Sequence, residues 1–596
     1  KGQRILLFGF TFMIWQHFYA ELERLKKEGI TFDLSEGILI HGGGWKKLAD
    51  KAVSPQEFHD RLRDVCGLDR IHDYYGMVEQ TGCIYMQCEC GHLHASVFSD
   101  VITRRPADFS VCDIGEPGIL QVVSAIPESY PGHSLLTEDE GEILGEDDCP
   151  CGRKGKYFRI LGRLKNAEIR GCSDTYSAPS GAAVSDPQDS SAESRIRFLV
   201  GNQEILRQMS TTTPRQPFNA EMCSYLETVS SILSKKKEAR QYPDVVTYGF
   251  WLRRASLDQL KRRFGEGHGG LRLGRGVAFH IAPSNVPVNF AYSLAAGLLS
   301  GNANIVRVPS KPFPQVDIIA SALEEALAAF PMIRPRLALV RYDRDSSIND
   351  YLSALADTRI VWGGDRTIQE LRRSPLRPRA REITFADRYS LALIDGAVYL
   401  NSEDKGRIAR DFYNDTYLSD QNACTSPRLI AWTGERIQEA REDFWRQIRT
   451  YIASRYELQA VQSVNKLVTA LLVAAETEGV RILQGTDNRI WRLALPALTA
   501  HTMDRYDNSG FFLEYECADM DALRPVCDDT RCQTITVLGD PGMLQPLLAS
   551  GIRGVDRVVP MGRSMDFDLL WDGYDLIGQL TREIAIQINK EDSDKK

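Results

Sequence analysis

The chain is expected to fold as α/β, in two unequal modules joined by a tether, and three observations predict this. From Gly276 onward, strand-length apolar runs alternate with helix-length ones, the pattern of a parallel sheet covered by helices. Before residue 173, short apolar runs alternate instead with glycine turns. Between the two, residues 173–194 lack apolar periodicity and are rich in Ser, Asp, Pro and Ala, which makes a flexible tether. A chain of 596 residues is also too long for one hydrophobic core. The expected division is 1–172, 173–194 and 195–596.

Taken in order, the run from Ile5 to Trp15 is interrupted by Gly9 and Thr11 and falls short of a bilayer span. It is expected to form a buried strand leading into a helix. The chain opens on Lys1 inside that strand-like run, so it is expected to begin within a domain. Past the tether, Glu221–Lys237 carries a helical pattern. Val277–Ile281 and Asn304–Val308 read as strands, and Val288–Leu299 and Val316–Phe330 as helices. Ile360-Val-Trp-Gly-Gly-Asp365 repeats the strand–glycine–helix order, with a helix beginning near Thr367.

Hydrophobic content of 43% and charged content of 26% are those of ordinary globular protein, and a net charge of −8 argues against a nucleic-acid partner. The 13 cysteines form no small-domain disulfide framework, and two Cys-x-Cys pairs among them suit a reducing compartment, hence cytosol. No signal peptide or membrane span is expected.

The chemistry starts from Cys424, in Asp-Gln-Asn-Ala-Cys-Thr-Ser-Pro-Arg (420–428). A lone cysteine in a polar, small-residue turn is placed as an exposed thiolate rather than as core filling. Upstream, Ala-Pro-Ser-Asn-Val-Pro (282–287) sets Asn285 at the carboxyl end of a strand, where open α/β sheets hold their ligands. A nucleophile and a fixed donor for a developing oxyanion suffice for acyl transfer.

Further motifs follow in order: Arg-Val-Pro-Ser-Lys (307–311), Trp-Gly-Gly-Asp-Arg-Thr-Ile (362–368), Gly-Val-Asp-Arg-Val-Val-Pro-Met-Gly-Arg (554–563) and Trp-Asp-Gly-Tyr-Asp (571–575). With the cysteine segment they resemble the aldehyde dehydrogenase superfamily, and within it the acyl reductase subunit of the Lux-type bacterial fatty acid reductase. The resemblance runs from about residue 195 to the end. It implies that Cys424 carries a fatty acyl thioester, which hydride from NADPH reduces to a long-chain aldehyde. By motif position, Asn285 and the Cys424 amide would hold the oxyanion. Arg307, Ser310, Lys311, Gly363 and Gly364 would lie against the cofactor. It also implies a homo-oligomer.

One departure from the superfamily is informative. Hydrolytic members use a glutamate to activate water. Aligned on Arg388, that stretch becomes Thr-Phe-Ala-Asp-Arg (384–388), with Thr384 at the glutamate's place and Glu382 two residues off. This suits thioester reduction better than aldehyde oxidation.

In the smaller module, His41-Gly-Gly-Gly-Trp-Lys-Lys47, Tyr74-Tyr-Gly-Met-Val-Glu79, Leu136-Thr-Glu-Asp139 and Leu161-Gly-Arg-Leu-Lys165 occur in that order. Alone, each is an ordinary turn. Together they resemble adenylate-forming enzymes, most closely the acyl-protein synthetase subunit of the same reductase. The resemblance implies ATP and Mg, with Gly43, Gly44, Tyr75, Gly76 and Glu79 flanking the adenine and the metal-bound phosphate. Asp139 would bind the ribose hydroxyls and Arg163 would lie near them. The upstream phosphate loop of that family is not found before this point, so the module is not expected to adenylate a fatty acid on its own. Cys172, in Arg-Gly-Cys-Ser, matches the acyl-accepting cysteine near the end of the synthetase family.

Cys88-Glu-Cys90-Gly-His-Leu-His94 and Cys149-Pro-Cys151-Gly pair thiols on two turns, which suits a structural tetrahedral zinc. Cys88, Cys90, Cys149 and Cys151 are the expected ligands, with His92 or His94 able to replace one.

The combined expectation is a fusion that loads an acyl group on Cys172, passes it to Cys424 and reduces it. The tether would span roughly 25 Å. Substrate would be a long-chain acyl thioester or acyl-CoA, with partner subunits of a reductase complex. The alternatives are an acyl-CoA reductase with the first module as a docking lobe, a non-catalytic acyl-binding scaffold, and an oxidative aldehyde dehydrogenase using Glu382.

Overall fold

A computed structural model describes residues 4–45, 52–167, 192–265, 271–283, 286–483, 485 and 487–586. Asn285 and Cys172, and the tether through residue 191, lie outside the described residues. The chain divides into two compact units. The first comprises Lys1–Gly181, Arg455–Ala494 and Asp507–Phe511; the second comprises Ala182–Ser454, Leu495–Tyr506 and Phe512–Lys596. The first unit thus takes in two stretches of later chain that the expected division assigned to the larger module. The reason is apolar: Val461 and Val464 of the helix Ala460–Glu476 are buried with Ile119 and Leu164.

The first unit is built on nine strands: β1 (Leu6–Phe10), β2 (Ile38–Gly42), β3 (Arg70–Gly76), β4 (Ile84–Gln87), β5 (Leu93–His94), β6 (Ser99–Arg104), β7 (Gly118–Ser124), β8 (Ser134–Glu146) and β9 (Lys156–Arg163). They form one sheet in the order β1-β2-β3-β4-β5-β9-β8-β7-β6. The first three are parallel, and the remainder pair antiparallel. The helix Pro55–Cys66 between β2 and β3 has its ends written locally. Ser54 accepts the Glu57 N–H at 3.1 Å, Pro55 opens the first turn, and Gly67 closes it at φ 74°. Its Phe58, Leu62 and Val65 are buried with Leu39 and Ile14.

The expected strand at Ile5–Trp15 is present, and a helix follows from Thr11, but the strand is not buried. Leu6 and Phe8 are 68% and 69% exposed. Among the described residues β1 is the edge strand, paired with β2, and the Phe8 ring stacks on Tyr74 at 5.7 Å between ring centres. Lys466 has no exposed surface; its ammonium donates to the carbonyls of Asn488 (2.6 Å) and Ser509 (2.5 Å). Fixed carbonyl dipoles make a buried cation tolerable there.

The described residues of the second unit form two larger sheets and two two-stranded ones. In the first are β10 (Arg197–Val200), β11 (Val277–Ile281), β12 (Ala303–Arg307), β13 (Leu337–Arg341), β14 (Thr358–Trp362) and β15 (Arg381–Phe385). Their order is β10-β13-β12-β11-β14-β15, parallel except for β10. The chain runs outward from β11 through β12 to β13, then returns to place β14 on the other side of β11. That reversal makes the carboxyl ends of β11 and β14 the switch point of the sheet, the ligand position in open α/β sheets. The helix Asn289–Leu299 is almost wholly buried against this sheet. Gly297 permits the approach, because a Cβ there would lie 1.9 Å from Asn304 Oδ1. His280, buried in β11, donates from Nε2 to Asn304 Oδ1 (3.0 Å) and accepts from the Ser293 hydroxyl at Nδ1 (2.7 Å); the Trp362 indole donates to the same hydroxyl (2.9 Å). Burial pushes the His280 pKa down to about 4, so this bridge between sheet and helix is neutral.

The second sheet contains β16 (Tyr389–Asp395), β17 (Pro427–Thr433), β18 (Phe511–Glu516), β19 (Cys532–Leu538) and β20 (Arg557–Pro560), all parallel, in the order β18-β17-β16-β19-β20. Among the described residues no helix is long and apolar enough to cross a membrane.

Candidate functional site

Cys424 lies in the loop that enters β17. Asp420 and Gln421 both take left-handed backbone conformations (φ 55° and 57°), which turn the chain back after Ser419. The loop is then tied at four points. The Ser390 hydroxyl donates to the Cys424 carbonyl (2.7 Å), the Gln421 amide to the Pro427 carbonyl (2.9 Å), and Arg428 to the Gln421 carbonyl (3.2 Å), while the hydroxyls of Ser419 and Ser426 meet at 3.2 Å. The Arg428 guanidinium lies over the Tyr506 ring at 4.5 Å.

The thiol itself is half-buried, not the exposed thiolate expected from the sequence. Burial pushes its pKa up, and the nearby carboxylates of Asp572 and Asp387 push the same way. A hydrogen bond from the Arg388 main chain and the Arg428 charge oppose them. The resting group is therefore a thiol at neutral pH.

Only Ala386, Asp387 and Arg388 separate the carboxyl end of β15 from the amino end of β16. This short link joins the two halves of the site. On one side Asp387 accepts the Asp365 N–H (3.2 Å) beside the Gly363-Gly364 turn. Gly364 is needed there, since a Cβ would stand 2.6 Å from Asp387 Oδ2. On the other side Arg388 reaches the thiol through its main chain. Its largely buried side chain pairs with Asp556, lies 3.7 Å from Asp572 and donates to the Cys532 carbonyl (2.7 Å). Asp572 in turn accepts from Gln533. Asp387 and Asp572 were not singled out from the sequence; they stand inside quoted motifs, Thr-Phe-Ala-Asp-Arg and Trp-Asp-Gly-Tyr-Asp.

The residues expected against a nicotinamide cofactor share the carboxyl edge of the first sheet. Arg307 ends β12, with its guanidinium 4.5 Å from the Tyr342 ring centre. Ser310 and Lys311 follow it and are exposed, and Gly363 and Gly364 follow β14. Glu382 sits elsewhere in purpose. One carboxylate oxygen accepts from Arg359 (2.9 and 2.5 Å) and the other from Arg372 (2.8 Å), which commits it to an ion cluster beside β15. Thr384 lies on the same strand, paired with Val361.

In the first unit, the Tyr75 hydroxyl donates to Asp139 Oδ2 (2.8 Å), and Arg163 Nε stands 3.9 Å from Asp139 Oδ1. The register that opposes Asp139 and Arg163 across β8 and β9 produces this trio. Burial pushes the Asp139 pKa up, against the Tyr75 hydrogen bond and the Arg163 charge. Gly43 and Gly44 follow β2, both at positive φ (86° and 60°), and Gly76 closes the neighbouring parallel strand β3. Glu79 is exposed on the short turn beyond. His41, quoted only as part of the glycine motif, is buried; it meets the Thr11 hydroxyl at 3.0 Å and Asp73 at 3.8 Å.

The Cys/His motifs also converge. Donor atoms of Cys88, His94, Cys149 and Cys151 all lie within 4.8 Å of one another. Cys90, expected as the fourth thiol, is exposed at the turn and does not belong to this set; His94 takes its place. The cause is strand pairing, because His94 opposes Met86 on β4 and Tyr157 on β9, which carries its ring inward. Every described cysteine is a free thiol.

Residues 215–583 match the family described as acyl-CoA reductase (LuxC), and residues 1–179 match acyl-protein synthetase, LuxE. The long-chain-fatty-acid–luciferin-component ligase of Vibrio harveyi is 27% identical over 179 residues, covering 29% of this chain and 44% of that protein. The long-chain acyl-protein thioester reductase 2 of Photobacterium leiognathi is 25% identical over 182 residues, covering 30% of this chain and 36% of that protein. The chain thus spans less than half the length of these curated relatives. Among solved structures, aldehyde dehydrogenase 21 of Physcomitrella patens is similar with a TM-score of 0.48 and 11% identity, over 63% of this chain and 88% of that one. A benzaldehyde dehydrogenase of Corynebacterium glutamicum is similar with a TM-score of 0.45 and 14% identity, over 66% and 95%. The α/β arrangement rests on the strand order itself.

Proposed function

Because the chain belongs to the acyl-CoA reductase (LuxC) family, matched over more than half its length, we propose that it reduces a long-chain fatty acyl thioester to the aldehyde through an acyl group on Cys424. The observation that carries this reading is the three-residue link 386–388, which has the Gly363-Gly364 turn on one side and the Cys424 loop on the other. The Cys424 thiol gives up its proton and its sulfur bonds to the acyl carbon; the thioester's own thiol leaves with a proton. Reduction then needs hydride at that carbon, and expulsion of the Cys424 sulfur as thiolate releases aldehyde; a proton from solvent restores the thiol.

NADPH supplies the hydride when bound. The residues present that fit a dinucleotide are Arg307 and the exposed Ser310 and Lys311, which share one sheet edge with the Gly363-Gly364 turn at the chain reversal. Asn285 and the Cys424 amide would serve the oxyanion. Arg388 and Arg428 favour the thiolate when it forms.

For the first unit, the same reading assigns hand-over of the acyl group through Cys172, with ATP and Mg as the ligands of the Asp139 site. Asp139 supports it: Tyr75 occupies Oδ2, which leaves Oδ1 able to accept from a ribose hydroxyl.

The test is mass spectrometry of the chain after tetradecanoyl-CoA, with and without NADPH, in wild type and Cys424→Ala. The expected result is an acyl adduct on Cys424 that disappears on adding NADPH, with tetradecanal released. If wild-type Cys424 never acylates, the mechanism is wrong.

A further inference from the structure

Two tight turns in the first unit repeat one pattern, Cys88-Glu-Cys-Gly91 and Cys149-Pro-Cys-Gly152. In each the glycine is left-handed, at φ 80° and 81°, and its N–H donates to the carbonyl of the first cysteine at 2.9 Å. The first turn links β4 to β5 and the second links β8 to β9. Since β5 pairs with both β4 and β9, the sheet sets the two turns side by side. A bidentate ion pair, Arg153 to Glu89 at 2.7 and 3.1 Å, ties them at the rim.

The atoms these turns face inward are all metal donors. Cys88 Sγ and Cys149 Sγ stand 4.0 Å apart, and Cys151 Sγ and His94 Nε2 stand 3.4 Å apart. Zinc bonds of about 2.3 Å to sulfur and about 2.0 Å to nitrogen imply tetrahedron edges of roughly 3.8 Å between sulfurs and roughly 3.5 Å between sulfur and nitrogen. These two separations match those edges within a few tenths of an ångström and lie far beyond a disulfide bond; all four donors lie within 4.8 Å of one another, and His92 Nδ1 also stands 3.4 Å from Cys149 Sγ.

We propose that Cys88, Cys149 and Cys151 as thiolates, with His94 through Nε2, form a structural zinc site that staples the β4–β5 and β8–β9 turns. Binding releases three thiol protons to solvent and leaves the imidazole neutral. The Arg153 main-chain N–H, 3.5 Å from Cys151 Sγ, donates to one of these thiolates. The His92 and His94 rings stack on Tyr157, at 5.0 and 5.7 Å, which holds the imidazole plane. Four protein donors close the coordination, so the site is structural and not catalytic. Exposed Cys90 takes no part. This inference is independent of the reductase reading.

The experiment uses the full chain, purified without chelator after zinc-supplemented expression, with metal content measured by plasma mass spectrometry. Cobalt is then exchanged in and its visible spectrum recorded. One zinc per chain is expected, released by a mercurial as three thiols react. His94→Ala and Cys149→Ser should weaken retention at least tenfold, while Cys90→Ser should leave content and cobalt spectrum unchanged. No stoichiometric metal in the wild type would overturn the proposal. So would loss of metal in Cys90→Ser with retention in His94→Ala. Should Cys149→Ser fail to fold, the wild-type cobalt spectrum decides, because a four-sulfur spectrum contradicts the assigned set.

Discussion

The Asp415 carboxylate, fully buried, accepts both the main-chain N–H of Ser564 (2.9 Å) and its hydroxyl (2.8 Å), and takes the Gly562 N–H at 2.6 Å as well. It thereby pins the 562–564 turn to the helix Lys405–Asp415 that precedes the Cys424 loop. Burial nevertheless pushes its pKa up to about 6. A raised carboxyl pKa means the folded state holds a proton the unfolded chain has lost. Its stabilising contribution is therefore full below about pH 4 and fades as pH rises through about 6. Asp415→Asn removes that slope and leaves one N–H without an acceptor, at about 1–3 kcal/mol. Urea unfolding should show the variant's deficit larger at pH 4 than at pH 8.

Arg388 is expected to behave as a buried cation with two carboxylate partners. Arg388→Met removes the guanidinium between Asp556 and Asp572, at about 3–5 kcal/mol. Arg388→Met with Asp572→Asn should recover part of that loss. A double variant no more stable than the single one contradicts the pairing; chemical denaturation measures both.

Asp387 is one of two carboxylates that push the Cys424 thiol pKa up. Asp387→Asn keeps an oxygen for the Asp365 N–H and removes only the charge. The pH profile of Cys424 alkylation by iodoacetamide should move to lower pH by a few tenths of a unit, as for one partly solvated charge. An unmoved profile means the carboxylate is too well solvated to act on the sulfur.

Glu382→Gln separates the reductive reading from an oxidative one. With Glu382 held by Arg359 and Arg372, the substitution should lower thermal stability and leave acylation of Cys424 by tetradecanoyl-CoA within about twofold. Loss of aldehyde oxidation with intact stability would instead make Glu382 a water activator.

Local pattern carried a large share of the fold. The strand at Val277–Ile281 appears with the expected bounds, and the helix expected at Val288–Leu299 runs from Asn289 to Leu299. These elements are apolar on every face, flanked by turn residues, and need no partner to be recognised. The turn chemistry around Cys424, Gly363-Gly364 and the Cys-x-Cys-Gly repeats was equally local and equally legible. The sequence alone therefore determined the strand–helix alternation from Gly276, the cysteine on its loop and the Cys/His motifs, but not which of their donors meet.

Register and layering were decided only in three dimensions. Whether Cys90 or His94 joins the thiols depends on which residue opposes Met86 and Tyr157 across strands, and a shift of one residue would turn the ring outward. The half-buried state of Cys424, the commitment of Glu382 to two arginines and the exposure of Leu6 and Phe8 are likewise set by neighbours distant in sequence. Spacing along a chain specifies which groups can meet; burial and charge at a site depend on everything that packs around it, and that sum exists only once the sheets have formed.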